Sequence, residues 1–324
     1  MKSPVTAKRY ISGMLLLDKP AGYSSNHALQ KVKRLFRAEK AGHTGTLDPF
    51  ATGLLLICLG EATKFSSFGL EGDKRYLATL KLGLTTTTGD IEGEIVTRKE
   101  VAVAQSDINR ILPKFRGTIS QIPPLYSALK VAGKPMYDYA RKGIEVERTA
   151  REVEIKRLHC LHFSGDELVI DVSCSKGTYI RTLGEDIGTA LGCGAHLSAL
   201  RRTASSALTI EQAITLKQLD GLTETKRDAC LLGVDTLLKN IPSIMLESRM
   251  VTCLQQGKVQ QAHADWLPGM AAVYDSNGLF IGLAEVTMQR QLIAKRLIAE
   301  HAMSSVPSPQ HEAKLESAWP QQKK

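Results

Sequence analysis

Residues 42–55, "GHTGTLDPFATGLL", hold one carboxylate, Asp48, among glycines, threonines and apolar side chains, with one histidine and one proline. The glycines allow tight turns or the close approach of a ligand, and Pro49 biases Asp48 toward extended backbone, aiming its side chain away from any helix. An aspartate so placed can cap a turn, ligate a metal, act as a general base or attack as a nucleophile; by spacing alone the turn cap is the commonest role. A phosphate cradle fits less well, because "GHTGT" lacks the G-x-x-x-x-G-K-[ST] spacing and an acid there would repel phosphate. Four other candidates also have ordinary readings: Arg181 in "GTYIRTL" as a surface ion pair, Tyr76 and Tyr179 as half-buried packing, and His43 as a residue tied into a Gly-Thr turn.

The elements around these residues can be read from periodicity. "GMLLLDKPAG" is an apolar run closed by Pro20 and Gly22, a strand entering a turn. "SSNHALQKVKRLFRAEK" places Ala28, Leu29, Val32, Leu35 and Phe36 at helical spacing, with Lys31, Lys33, Arg34, Arg37 and Lys40 on the outer face. Residues 54–59 read as a buried strand, and "RYLATLKLG" alternates as a half-buried strand does. "ELVIDVSCSKGTYIRTLGEDIGTALG" reads as strand, Gly-containing turn and helix. Strands and helices mix without regular alternation, which predicts an α+β fold. Residues 123–151 combine Lys, Arg, Tyr, Gly and Pro with weak periodicity, suggesting a mobile basic arm with stacking side chains, in which Lys130, Lys134, Arg141 and Lys142 would face phosphates. From about Val251, "VTCLQQGKVQQ", "MAAVYDSNGLFIGLAEV" and "RLIA" read as short strands, with "DSNG" a hairpin turn. The division expected is 1–250 as the main domain, 251–302 as a small β domain and 303–324 as a disordered tail.

Composition narrows the partners. The chain has 324 residues, 42 Lys+Arg against 33 Asp+Glu and a formal charge of +9, with a pI near 9.2. That excess favours a polyanionic partner through counterion release. Six cysteines stand without a C-x-x-C pair and read as reduced core residues, so no metal centre is expected. The apolar runs are shorter than the ~20 residues of a membrane span, and the first residues form no secretory leader, so a cytoplasmic protein is expected.

The 42–55 stretch resembles the catalytic motif of the TruB family of tRNA pseudouridine synthases, matching G-H-T-G-T-L-D-P-x-A-x-G-L-L throughout. "LLLDKPAGYSS", "KRYLATLKLGLTTTTGDIEGE" and "SCSKGTYIRTLGEDIGTALGCGAHLSALRRT" resemble three further motifs of that family, in order, and the small β domain is similar to a PUA-type RNA-binding module. The resemblance implies a mixed, mainly antiparallel sheet with flanking helices, a small C-terminal β-barrel, and cofactor-free isomerisation of uridine 55 in the T loop of tRNA. It implies Asp48 as nucleophile, Arg181 as its cationic partner and Tyr76 stacking on the uracil. Tyr179 and Leu200 would line the pocket, His43 would fill the gap left by a flipped base, and Lys19 and Pro20 would shape the pocket floor. The basic arm matches in position an insertion of stand-alone members, so a monomer without an obligate protein partner is expected. A tRNA-remodelling protein without catalysis and a guide-RNA-dependent catalytic subunit are the alternatives.

Overall fold

The computed structural model describes residues 7–127, 129–131, 133–140, 142–144 and 146–299. The expected tail, and Arg141 of the basic arm, lie outside the described residues. Strand β1 (Gly13–Lys19) leads through the Pro20–Gly22 turn to helix α1 (Ser25–Leu35), whose cap Ser24 accepts the His27 N–H. Ala28, Leu29 and Val32 form the buried stripe of α1, as helical spacing requires. Strands β2 (Ala41–Thr44) and β3 (Thr52–Leu59) flank the loop that carries Asp48. Then come β4 (Lys74–Leu82), β5 (Gly117–Gln121), β6 (Arg151–Ser164), β7 (Glu167–Cys174), α2 (Ile180–Ala190) and β8 (Ala195–Ser205).

One sheet of ten strands organises these elements, in the order β1-β3-β8-β4-β7-β6-β5. Ile214–Thr215 lies beyond β1, β2 pairs with β3, and Leu208–Thr209 pairs with β8. Only β3 with β8 and β1 with Ile214–Thr215 run parallel. The sheet is therefore mixed and mainly antiparallel, with helices packed on it, in agreement with the α+β expectation. The unbroken apolar runs in β1 and β3 follow from burial on both faces. Leu15, Leu17, Leu55, Ile57 and Leu59 enter the main core, while Met14, Leu16, Leu54 and Leu56 enter a smaller one. At the parallel contact, Gly53 has φ +102°, and a Cβ there would lie 2.3 Å from the Arg202 carbonyl oxygen. Only glycine lets β3 approach β8 so closely.

The small C-terminal unit is a five-stranded sheet. It is built from β9 (Ser243–Met245), β10 (Gly269–Tyr274), β11 (Phe280–Val286), β12 (Gln291–Leu297) and Gln260–Gln261, in the order β9-β10-β11-β12 with Gln260–Gln261 outermost. The Asp275–Gly278 turn joins β10 to β11, and Asp275 Oδ1 accepts the Asn277 and Leu279 N–H groups. Here the structure corrects two expectations. The sheet begins at Ser243, upstream of Val251, and "VTCLQQ" is the end of helix α3 (Ser248–Gln255) rather than a strand. Met250, Val251 and Leu254 recur at helical spacing against the small core, and Gly257, with φ +73°, follows as the helix stop.

A fourth apolar cluster joins the two units. Cys58, Ala62 and Phe65 of the main unit pack with Ala272, Phe280, Leu283 and Ile298 of the small one. Within the expected arm, Lys130–Val131 pairs with Lys134–Pro135, and Met136–Ala140 forms a short helix with Met136 buried. Among the described residues no helix is long and apolar enough to cross a membrane.

Candidate active site

Asp48 sits in the loop between β2 and β3, and that loop is fastened from two sides. Ser25 Oγ, buried at the start of α1, accepts the Leu47 N–H at 2.8 Å and donates to the Leu47 carbonyl at 2.9 Å. On the other side, Gly22 N–H donates to the Pro49 carbonyl at 2.9 Å. Lys19, fully buried at the end of β1, donates to the carbonyls of Tyr23 (2.6 Å), Pro20 (3.0 Å) and Pro49 (3.3 Å). Apolar Leu47 and Ala51 anchor the loop in the core, with Asp48 between them.

Facing it is Arg181, the second residue of α2, with a side chain only 5% exposed. Its Nε lies 3.1 Å from Asp48 Oδ2 and its Nη2 lies 3.4 Å from Oδ1, an arrangement that uses the planar fork of the guanidinium. The remaining donors reach the carbonyls of Tyr126 (2.7 Å) and Thr88 (3.1 Å), and Nη1 lies 3.4 Å from Asp90 Oδ2. The start of α2 is held by Gln121 at the end of β5. Its side chain accepts the Tyr179 N–H at 3.0 Å and donates to the Tyr179 carbonyl at 3.2 Å.

These residues open on a cavity of about 490 Å³, lined among others by Asp48, Tyr76, Tyr179, Arg181, Leu200, Lys74 and Arg202. Tyr76 projects from β4 and Leu200 from β8, its neighbour in the sheet. The structure thus brings five of the proposed residues around one space, while His43, Lys19 and Pro20 lie outside its lining. His43 sits on β2 opposite Ile57, and its Nδ1 is buried without a hydrogen-bond partner. Burial, and next the Arg202 charge, push its pKa down, so the ring is neutral at pH 7. Lys19 holds Pro20 and the Asp48 loop together through their carbonyls, from outside the cavity lining. Burial pushes the Lys19 ammonium down to about 8, against the favourable charge of Asp48.

Burial is also the largest influence on Asp48 and raises its pKa. Arg181 opposes that rise, Asp90 adds to it, and Lys19 opposes it. Tyr76 and Tyr179 are pushed up by burial and remain phenols. The sequence reading passed over Asp90, Gln121 and Ser25. Asp90 stands in "TTTTGD", where it reads as a turn residue, and only the fold shows it 3% exposed beside Arg181. Among the described residues no group of His, Cys, Asp or Glu is placed to hold a metal ion. Chemically, the cavity presents one carboxylate, held ready by a cation, on walls that mix aromatic and apolar side chains with the basic Lys74 and Arg202; that suits covalent attack on a planar substrate.

Three family models cover nearly the whole described chain. Residues 33–180 match the N-terminal domain of TruB family pseudouridylate synthase, 181–239 the tRNA pseudouridylate synthase B C-terminal domain, and 242–298 the C-terminal region of pseudouridine synthase II TruB. The chain belongs to the TruB family of pseudouridylate synthases. A curated tRNA pseudouridine synthase B from Thiobacillus denitrificans is 51% identical over 293 residues, covering 90% of this chain and 98% of that protein. One from Methylobacillus flagellatus is 50% identical, with 90% and 97% covered. Among solved structures, one from a Cbf5-Nop10-Gar1 complex superposes with a TM-score of 0.66 at 27% identity, covering 90% of this chain and 85% of that one.

Proposed function

We propose that this tRNA-pseudouridylating isomerase acts on uridine 55 of the T loop, after flipping the base into the cavity, with Asp48 as nucleophile. The observation that carries the proposal is the Asp48–Arg181 pair. It holds a single carboxylate at 3.1 Å from a buried guanidinium, in a cavity where Asp48 is the only carboxylate among the described lining residues. The isomerisation breaks the bond from N1 of uracil to C1′ of the ribose and joins C5 to the same carbon. C5 loses a proton and N1 gains one, so nothing is consumed.

A carboxyl group attacks in its charged form, and burial disfavours that form at Asp48. Arg181 favours the carboxylate and aims it, while the carbonyls of Tyr126 and Thr88 and the carboxylate of Asp90 fix Arg181 in turn. Tyr76 stacks on the base, Tyr179 and Leu200 bound the pocket, and Lys19 and Pro20 brace the Asp48 loop. His43, neutral on β2, fills the gap left by the base, helping to offset the few kcal/mol that unstacking costs. The excess of cations supports binding of the T stem-loop, and the basic arm at residues 123–151 supports a stand-alone monomer.

The test is mass-spectrometric mapping of pseudouridine in unmodified tRNA incubated with the protein and with Asp48→Asn. The wild type is expected to modify position 55. The amide keeps the shape, so Asp48→Asn should bind tRNA and make no pseudouridine. Turnover near the wild-type rate would remove Asp48 from the chemistry, and modification elsewhere would overturn the site assignment.

A further inference from the structure

Arg181 has Asp48 and Asp90 beside it, but the cavity holds two more buried cations. Lys74, at the start of β4, is 8% exposed and Arg202, on β8, is 1% exposed; both line the cavity. Among the described residues, every hydrogen-bond acceptor of these two groups is neutral. The Lys74 ammonium donates to the carbonyls of Leu70 (2.5 Å) and Gly72. The Arg202 guanidinium donates to the carbonyls of Leu54 (2.6 Å) and Gly45 (3.1 Å). A buried charge without an opposite partner is costly, and two like charges sharing one wall add repulsion. Burial first, and then the Arg202 charge, push the Lys74 ammonium down to about 8, and the charges of Asp73 and Glu71, which are not hydrogen-bonded to it, only partly oppose that shift. An anion entering this end of the cavity would relieve both costs.

The position of Lys74 suggests which anion that is. Lys74 and Tyr76 are alternate residues of β4 and face the same side, roughly 7 Å apart. That is the scale on which a nucleotide separates its base from its backbone phosphate. With the base on Tyr76, a backbone phosphate falls near Lys74, beside the turn residues Ser175 and Gly177, which also line the cavity. A Cβ at Gly177 would meet nothing within 4 Å, so that side is open for the strand to pass.

We propose that Lys74 and Arg202 form an anion subsite for one phosphodiester of the substrate RNA next to the extruded nucleotide, with Lys74 making the contact and Arg202 supplying charge from behind. The subsite rests on the reading that the substrate is RNA whose target base enters this cavity. It adds a specific contact to that reading and changes no step of the chemistry.

The experiment uses a T stem-loop RNA in which each linkage flanking the target uridine is replaced, one at a time, by an uncharged methylphosphonate. Affinity is measured for wild type, Lys74→Gln and Lys74→Arg. One linkage should cost the wild type about tenfold in affinity, and Lys74→Gln should bind the unmodified RNA about tenfold more weakly. Lys74→Gln should lose nothing further at that linkage, and Lys74→Arg should restore both the affinity and the sensitivity. The proposal fails if the two losses multiply at every linkage. It also fails, without recourse to any variant, if no flanking linkage costs the wild type more than about twofold, so a misfolded Lys74→Gln would not shelter it. Pseudouridine is assayed in the same wild-type samples. Coupling without product would overturn the proposed activity and keep the subsite, whereas product without coupling would do the reverse.

Discussion

As the proposed nucleophile, Asp48 has to be accessible to a substrate and charged at the same time, and these demands oppose each other. Its side chain keeps 32% of its surface open, yet burial raises its pKa above the usual carboxylate range. On that proposal the active form is the carboxylate, so the reactive fraction falls as pH drops through that raised value. The acid limb of kcat/KM, which reports free-enzyme groups, should therefore lie above the ordinary aspartate value of about 4. Asp90 raises the Asp48 pKa by like-charge repulsion. Asp90→Asn keeps the shape and removes that charge, so the limb should move to lower pH even as the rate falls because Arg181 has lost an anchor. A pH profile of the variant compared with wild type measures this. A limb that stays in place or moves upward would mean that Asp48 is not the titrating group.

At the scale of elements, precision comes from short polar ties between segments that are distant in the chain. Ser25 satisfies both the N–H and the carbonyl of Leu47, Gln121 does the same for Tyr179, and Lys19 collects three carbonyls that include Pro49. Each tie closes backbone groups that burial would otherwise leave unpaired. Ser25→Ala should cost about 1–3 kcal/mol, since it orphans two backbone groups and removes little volume. Because the loosened loop carries Asp48, the single-turnover rate at saturating RNA should fall more than the affinity. Denaturant unfolding and quench-flow on the same variant check both parts; affinity falling more than the rate would deny the loop its positioning role.

At the scale of the whole molecule, the small sheet is not a hanging appendage. Phe65, fully buried in the main unit, meets Phe280 edge-on with ring centroids 5.4 Å apart, and Lys64 and Glu61 make hydrogen bonds to the backbone of Leu297 and Ala299. Deleting the chain from Val251 would expose Cys58, Ala62 and Phe65 together, so that truncation alters the main unit as well. Phe65→Ala should cost about 3–5 kcal/mol, the usual range for a large cavity at a buried aromatic. Far- and near-ultraviolet circular dichroism should shift together along one transition. A small unit that melted separately, leaving the rest unchanged, would mean that the shared core does not couple them.

Much was legible from local pattern. The strand runs in β1, β3 and β4, the stripe of α1, the DSNG hairpin and the strand-turn-helix around Arg181 all follow from periodicity and turn chemistry, which depend on near neighbours. The motifs likewise marked Asp48, Tyr76, Tyr179, Arg181 and Leu200 before any fold was known. "VTCLQQ" was misread because a short apolar run suits either element until the surface it packs on is known. Gln121 carries no local mark, and Asp90, Ser25, Lys74 and Arg202 stand inside the quoted motifs without a role that local pattern assigns. A polar residue takes its role from the partner across from it, and those partners arrive from other strands. The sequence by itself determined most of the elements and singled out Asp48; the tertiary structure decided which cations and carbonyls surround it, because burial and pairing exist only once β3, β4, β8 and α2 are packed together.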